Sequence, residues 1–211
     1  MMQKWKYQPK DILQQSKIVP VIVIHDLDDA IPLATALIEG GIGVLEVTLR
    51  TSCALDAIQL LSKRFPDVFI GAGTVINEKT YLQAIEAGSQ FVITPGLTTS
   101  LLQQSKEHHI PLIPGVSNIS NILLAMEYEY QYFKFFPAEI NGGVKALKAF
   151  EGPLETVRFC PTGGINEINY MDYLSLNNVE CVGGSWICSS DDIKAKNWEK
   201  IYNLTLKSMH R

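Results

Sequence analysis

Strand-length apolar segments alternate with segments of helical spacing along almost the whole chain, and this alternation constrains the fold more than any other feature. Strands that alternate with helices predict βα units and a parallel sheet. About eight such units in a chain of 211 residues favour a closed (β/α)8 TIM barrel. The alternative is an open, doubly wound sheet. The predicted strands are residues 17–24, 44–49, 68–72, 91–94, 111–113, 132–136, 157–161 and 179–182.

The alternation runs through the sequence without a linker or a low-complexity segment, which predicts a single domain over residues 1–211. Residues 1–16 precede the first predicted strand, and we expect them to form an extra helix outside the barrel. With 46% hydrophobic and 19% charged residues, the chain is able to bury a large core.

Charge and cysteine spacing limit the partners and the compartment. A net charge of −4 gives no indication of nucleic acid or an anionic membrane as a partner. The longest apolar runs have the length of a strand, so no membrane span is predicted. The four cysteines form no C-x-x-C pair, and the first residues contain no apolar core followed by a cleavage site. We therefore expect a cytoplasmic protein with reduced thiols.

One lysine lies within an aromatic segment. Lys134 is the only charged residue of residues 130–137, and the surrounding aromatic side chains predict a buried strand. A buried ammonium must be paired, neutralised or used. Removal from water favours the neutral amine, which is the form that attacks a carbonyl. The alternative is a structural lysine that reaches water at the strand end or pairs with a carboxylate.

Strand parity places two further charged residues near this lysine. Side chains alternate across a strand, so Glu46 and Arg50 share the inner face of the second predicted strand, as Lys134 does in the sixth. Active sites of these barrels lie at the carboxyl ends of the strands. We expect Glu46 to transfer protons, Arg50 to hold a carboxylate and Lys134 to act as nucleophile. The alternative is an internal ion pair with no catalytic role.

Glycine pairs follow the seventh and eighth predicted strands, at residues 163–164 and 183–184. Many barrels bind phosphate at these two loops, because glycines let backbone N–H groups approach an anion. Ser185 adds a hydroxyl. The alternative is that the glycines only form turns. The histidines show no metal-ligand spacing, so no metal site is predicted.

Taken together, these segments resemble the 2-keto-3-deoxy-6-phosphogluconate (KDPG) aldolases, also called 2-keto-4-hydroxyglutarate (KHG) aldolases. The resemblance extends from about residue 12 to residue 186. It is carried most specifically by Glu-Val-Thr-Leu-Arg at residues 46–50 and Phe-Lys-Phe-Phe-Pro at residues 133–137. Gly-Ala-Gly-Thr-Val at residues 71–75, Thr-Pro-Gly at 94–96 and Pro-Thr-Gly-Gly-Ile at 161–165 also match. The 2-dehydro-3-deoxy-6-phosphogalactonate aldolases share the chemistry and are the alternative.

The resemblance implies a class I aldolase that needs no metal or other cofactor and forms a homotrimer. Its substrates would be small molecules: KDPG, pyruvate and glyceraldehyde 3-phosphate, with 4-hydroxy-2-oxoglutarate cleaved to pyruvate and glyoxylate. By resemblance, Lys134 forms the Schiff base and Glu46 is the proton shuttle. The implied substrate-binding residues are Arg50, Thr74, Pro95, Phe136 and Thr162, and the implied phosphate-binding residues are Gly163, Gly164, Gly184 and Ser185.

Two alternatives from other functional classes remain at this point. A phosphate-binding barrel isomerase, such as a sugar-phosphate epimerase, explains the glycine loops but not a lysine in an aromatic strand near Arg50. A catalytically inert ligand-binding barrel is the other. Sodium borohydride with pyruvate separates the three, because only the aldolase gains a stable adduct.

Overall fold

The computed structural model describes residues 5–210, in which parallel strands surround a common axis. The strands are β1 (Ile18–Ile22), β2 (Val44–Thr48), β3 (Phe69–Gly73), β4 (Phe91–Ile93), β5 (Leu112–Ile113), β6 (Gly115–Val116), β7 (Tyr132–Phe135), β8 (Arg158–Pro161) and β9 (Val182–Gly184). They form two sheets, with the order β5-β4-β3-β2-β1-β9 in one and β6-β7-β8 in the other. Every pairing between strands is parallel.

The two sheets join at both edges and close the barrel. At one edge Pro114 separates β5 from β6, and its carbonyl oxygen accepts a hydrogen bond of 3.0 Å from the Lys134 N–H. Proline has no N–H to donate to a neighbouring strand, and the chain changes partner there from β4 to β7. At the other edge a bridge joins Thr162 to Gly183. The predicted (β/α)8 barrel is confirmed, and an open sheet is wrong.

Helices cover the outside of the barrel. They are α1 (Pro9–Leu13), α2 (Ala30–Glu39), α3 (Ala54–Arg64), α4 (Glu78–Glu86), α5 (Thr99–His108), α6 (Ile119–Glu127), α7 (Gly143–Glu151), α8 (Tyr170–Leu174), α9 (Ser190–Lys194) and α10 (Trp198–Met209). Side chains of Asn77, Thr98 and Asn118 cap α4, α5 and α6 by accepting backbone N–H groups. Leu45 and Val47 of β2 belong to the core between strands and helices, as their parity predicts.

Several element boundaries differ from the prediction. The last strand lies at Val182–Gly184 rather than residues 179–182. Residues 191–209 have helical spacing throughout, but Lys196, whose φ is 54°, divides them into α9 and α10. Residues 166–176 also have helical spacing, but only α8 forms there, because the Asn166 and Asn169 side chains accept backbone N–H groups in a preceding turn.

The lower end of the barrel, where the strands begin, is filled by apolar side chains. The helix predicted over residues 1–16 is the five-residue α1 within the described part, and residues 1–4 lie outside it. Ile12 and Leu13 of α1 pack against the interior layer of the barrel. Tyr7 stacks edge-on against Phe69, the first residue of β3, with ring centroids 5.1 Å apart. The interior layer comprises Val19, Val44, Phe91, Ile93, Ile113, Cys160 and Cys181.

Within residues 5–210 no helix is both long enough and apolar enough to cross a membrane.

Candidate active site

A lysine and a glutamate from opposite parts of the sequence meet inside the upper half of the barrel. Lys134 on β7 donates from Nζ to Oε1 of Glu46 on β2 at 3.0 Å. Only 6% of the lysine side chain and 2% of the glutamate side chain are exposed. Both lie above the apolar layer, so each charge depends on the other for compensation. The Phe136 ring adds a cation–π contact, with its centroid 5.4 Å from the lysine Nζ.

A glycine in the next strand makes room for the carboxylate. A Cβ added at Gly73 on β3 would overlap the Glu46 carboxylate. Two residues earlier on β3, the ring of Phe91 occupies the space that a side chain on Gly71 would need. Gly73 has no role among the sequence predictions. A glycine inside a strand is the signal that points to such a close approach.

Arg50 lies just beyond the end of β2, and Thr74 just beyond the end of β3. The arginine Nε donates to the threonine Oγ1 at 3.1 Å. Thr74 has a φ of 60°, a conformation that is unfavourable for a β-branched residue and that occurs most often at functional sites. With Lys134 and Arg50 set against Glu46, the site carries a surplus positive charge that favours an anionic ligand.

A cavity of about 150 Å³ opens above the lysine. Lys134 and Phe136 line it on one side and Arg50 on another. Thr162 lines it as well, and its buried hydroxyl donates to the Cys160 carbonyl at 3.4 Å. The remaining lining residues are Val21, Gly163, Gly164, Ile165, Gly183, Gly184 and Ser185. Val21 and Ile165 are additions to the site that the sequence does not predict.

Three of the candidate residues contribute from outside the cavity wall. Glu46 is hydrogen-bonded to Lys134, which lines the cavity, and Thr74 is hydrogen-bonded to Arg50, which also lines it. Pro95 is further away: its backbone C and O atoms abut Gly115, where an added Cβ would overlap them. Gly115 is paired with Lys134 across β6 and β7. Pro95 therefore contacts the site indirectly, through the backbone of Gly115 beside Lys134.

The glycine loops form the rim of the cavity. Gly163 and Gly164 have φ angles of 99° and 79°, which side chains rarely adopt. Within residues 5–210 the N–H groups of Gly164 and Ile165 donate to no protein group. Ser185 is exposed at the opposite side of the rim. Free N–H groups and a hydroxyl around a small opening form an arrangement that suits an anion.

No group of three or more His, Cys, Asp or Glu side chains in the part of the chain that the structure describes is arranged to hold a metal ion. The four cysteines of the sequence are free thiols. Inside the barrel, hydrogen bonding to the neighbouring Cys160 thiol, together with burial, raises the pKa of Cys181 well above its usual value. The Cys181 thiol is therefore unreactive at neutral pH.

Comparison with known proteins agrees with this geometry. The model of the KDPG and KHG aldolase family matches residues 10–204. The KHG/KDPG aldolase of Escherichia coli (strain K12) is 50% identical over 208 residues, which cover 99% of this chain and 98% of that one. A crystal structure of KDPG aldolase from Legionella pneumophila, with pyruvate captured at low pH as a covalent carbinolamine intermediate, is 50% identical and superposes with a TM-score of 0.96, covering 97% of this chain and 100% of that one.

A third relative carries a phosphorylated ligand. The KDPG aldolase of Zymomonas mobilis ZM4, solved with 3-phosphoglycerate, is 42% identical and superposes with a TM-score of 0.88 over 95% of both chains. The family model and these full-length relatives agree with the resemblance seen in the sequence motifs. The chain belongs to the KDPG and KHG aldolase family.

Proposed function

We propose that this protein is a class I aldolase that cleaves KDPG reversibly to pyruvate and D-glyceraldehyde 3-phosphate. The observation that carries the proposal is the 3.0 Å contact between the buried Lys134 amine and the Glu46 carboxylate below an open cavity. A phosphate-binding isomerase explains the glycine loops but not this buried amine, and an inert binding barrel explains the amine only as half of an ion pair. The relative from E. coli is named for both KHG and KDPG. That name supports a second substrate, 4-hydroxy-2-oxoglutarate, which yields pyruvate and glyoxylate.

The first half of the reaction forms a covalent bond to the lysine. Glu46 takes a proton from the Lys134 ammonium, and the free amine attacks the C2 ketone of the substrate to give a carbinolamine. Glu46 then returns that proton to the carbinolamine hydroxyl, which leaves as water, so an iminium remains on Lys134 and Glu46 is again a carboxylate. The positive nitrogen of the iminium accepts the electron pair that is released when the C3–C4 bond breaks.

The second half requires two proton transfers, and Glu46 is placed for both. It removes the proton from the C4 hydroxyl as the C3–C4 bond breaks and the aldehyde leaves. The enamine that remains on Lys134 then takes this proton at C3. Water hydrolyses the resulting iminium and releases pyruvate and the free amine. One carboxylate serves both steps because each turnover returns it to its starting protonation state.

The other site residues hold the substrate in line with the lysine. Arg50 binds the carboxylate of the pyruvate portion, and its bond to Thr74 fixes the guanidinium in place. The backbone near Pro95 borders the same end of the substrate. Phe136 packs against the lysine, and Thr162 contacts the hydroxyl-bearing portion. The phosphate lies at the rim, against Gly163, Gly164, Gly184 and Ser185.

Borohydride trapping tests the proposed function directly. Reduction of the protein in the presence of pyruvate should add one pyruvate-derived group and abolish cleavage activity, because the iminium is converted into a stable secondary amine. Peptide mapping by mass spectrometry should place the added mass on Lys134. Absence of an adduct, or an adduct on a surface lysine with full activity, would refute the Schiff-base mechanism.

Ser185 gives the cleanest test of the phosphate rim. A Cβ at Gly184 would overlap the Trp186 ring, and one at Gly164 would lie 2.5 Å from Glu139 Cγ, so glycine substitutions disturb packing as well as binding. Ser185→Ala removes only the exposed hydroxyl. A hydrogen bond to a charged group contributes roughly 1.5–3 kcal/mol, so we expect KM for KDPG to rise by about tenfold or more. KM for 4-hydroxy-2-oxoglutarate, which has no phosphate, should change little; equal increases for both substrates would argue against this rim as the phosphate site.

Metal independence is a further expected result. The iminium withdraws the electrons that a metal ion would withdraw in a class II aldolase. Cleavage activity should therefore survive prolonged dialysis against EDTA, measured with a coupled assay in chelator-treated buffers. Loss of activity that a divalent cation restores would contradict the class I mechanism.

We also propose a single catalytic domain, a homotrimeric assembly and a cytoplasmic location. The family resemblance supports the trimer, and the cysteine spacing supports a reducing compartment. Sedimentation equilibrium, which measures mass independently of shape, should give three times the chain mass of 23.5 kDa. A monomer mass at micromolar concentration would exclude the trimer.

A further inference from the structure

The turn at Thr162–Gly164 is held from behind by the segment that follows the catalytic strand. The N–H of Ala138 donates to the Thr162 carbonyl at 2.8 Å, and the N–H of Glu139 donates to the Gly163 carbonyl at 3.1 Å. These bonds continue the pairing of β7 with β8 beyond the ends of both strands. The position of the glycine turn therefore depends on the conformation of residues 138–139.

The Glu139 side chain also supports the turn directly. A Cβ placed on Gly164 would lie 2.5 Å from Glu139 Cγ and 2.7 Å from Glu139 Cβ, so the glutamate occupies the space that a side chain at this position would fill. On its other side, the Gly164 carbonyl accepts from Asn169 Nδ2 at 3.1 Å. Gly164 is thus held between a glutamate stem and an asparagine amide.

Tyr173 anchors the carboxylate of that glutamate. Tyr173 belongs to α8 and is fully buried, and its hydroxyl donates to Glu139 Oε1. Burial, together with the neighbouring Glu139, raises the pKa of Tyr173 far above its usual value, so the phenol remains a donor at every physiological pH. The hydroxyl and the carboxylate both lie beside Gly143, the first residue of α7. The pair therefore joins the β7 loop to the start of α7 and to α8.

Resting on the function proposed above, we infer that Glu139 is a positioning residue for the phosphate end of the substrate and that Tyr173 is its anchor. The stem of Glu139 keeps the N–H groups of Gly164 and Ile165 directed at the rim. The tyrosine hydroxyl holds the negative carboxylate away from the phosphate, which it would otherwise repel. Neither residue lines the cavity or contacts the reacting carbons.

This inference predicts an effect on phosphate recognition without an effect on carbon chemistry. Aldol addition of pyruvate should be measured with D-glyceraldehyde 3-phosphate and with D-glyceraldehyde, two acceptors that differ only in the phosphate. Glu139→Ala should lower the ratio of kcat/KM for the two by about tenfold, through KM for the phosphorylated aldehyde. Glu139→Gln, which keeps the stem and an acceptor for the hydroxyl, should restore most of that ratio.

Tyr173→Phe separates the support that the Glu139 stem gives the glycine turn from the repulsion between the Glu139 carboxylate and the phosphate. With the hydroxyl gone, the Glu139 carboxylate is free to approach the phosphate, and we expect the same ratio to fall by about three- to tenfold. In the Glu139→Gln background the repulsion is absent, so adding Tyr173→Phe should cost clearly less than it does alone. A double-mutant cycle measures this coupling. Independent effects of the two substitutions would overturn the anchoring role of Tyr173.

Two controls separate this inference from the proposed function. Glu86→Ala removes an exposed carboxylate from α4, far from the β7 loop, and should leave the ratio unchanged. Borohydride trapping of pyruvate should be normal in every Glu139 and Tyr173 variant. Normal trapping with equal losses for both aldehydes would overturn the positioning role alone, whereas failure of trapping in the unmodified protein would overturn the proposed function. A thermal melt of each variant excludes loss of the fold as the cause.

Discussion

Lys134→Arg should lower the rate of aldol cleavage by several orders of magnitude while the barrel remains folded. Arginine keeps the positive charge beside Glu46, but its guanidinium does not lose a proton in proteins and cannot form the carbinolamine. The iminium pathway is then closed, and cleavage is limited to whatever the cavity achieves by binding alone. Single-turnover measurements at saturating KDPG give the size of the loss.

Lys200→Arg provides the matched control for that experiment. Lys200 lies on α10, where its exposed ammonium forms an ion pair of 2.7 Å with the buried Asp192 carboxylate. The same chemical change there should leave cleavage and borohydride trapping untouched, because arginine keeps the charge of the pair and Lys200 does not line the cavity. Turnover at the normal rate in Lys134→Arg, with a fold confirmed by circular dichroism, would remove Lys134 from the mechanism.

Glu46→Gln should lower cleavage by ~10²–10⁴-fold, the range that positioned acid–base groups contribute. Glutamine has nearly the same shape, so it fits beside Gly73 and still accepts a hydrogen bond from Lys134. It cannot accept the proton from the C4 hydroxyl or return it to the enamine. Pyruvate should still be trapped on Lys134 by borohydride, but more slowly, since the amine loses the group that deprotonates it.

Glu180→Gln is the control for this substitution, because it makes the same chemical change at a position away from the cavity. Glu180 lies near the lower end of the barrel, where its carboxylate is 3.6 Å from Arg158 Nε. Its conversion to the amide should alter stability slightly and activity not at all. Exchange of the C3 protons of pyruvate with solvent isolates the enamine step. Normal exchange in Glu46→Gln would assign the proton shuttle to another group.

Much of the barrel and of the Lys134–Glu46 contact could be predicted because both depend on periodicity. Alternation of side chains along β2 and β7 is a property of any strand, so it placed Glu46 and Lys134 on inner faces before their contact was seen. The split of the fifth strand at Pro114 was not predicted, because a three-residue apolar segment does not reveal where the chain changes partner. The break at Lys196 was missed for a similar reason, since lysine gives no signal for a positive φ.

The support behind the phosphate rim was beyond the reach of sequence reasoning. Glu139 and Tyr173 are 34 residues apart in the sequence. One lies in a loop and the other in a short helix, and no periodic sequence pattern links the two segments. The role of Gly73 has a local signal, a glycine within a strand, but identifying which side chain takes its place requires the neighbouring strand. Contacts of this kind follow from tertiary packing rather than from local propensity.

The filled lower end of the barrel has a consequence for the order of events in one turnover. With α1 and the apolar layer closing the base, substrate and both products share the upper opening. In the proposed mechanism pyruvate is attached to Lys134 at the floor, and the aldehyde lies above it, toward the rim. The aldehyde must therefore depart before pyruvate does. Product inhibition should reveal this sequence: pyruvate competes with the substrate for the empty enzyme, whereas the aldehyde acts on the loaded one.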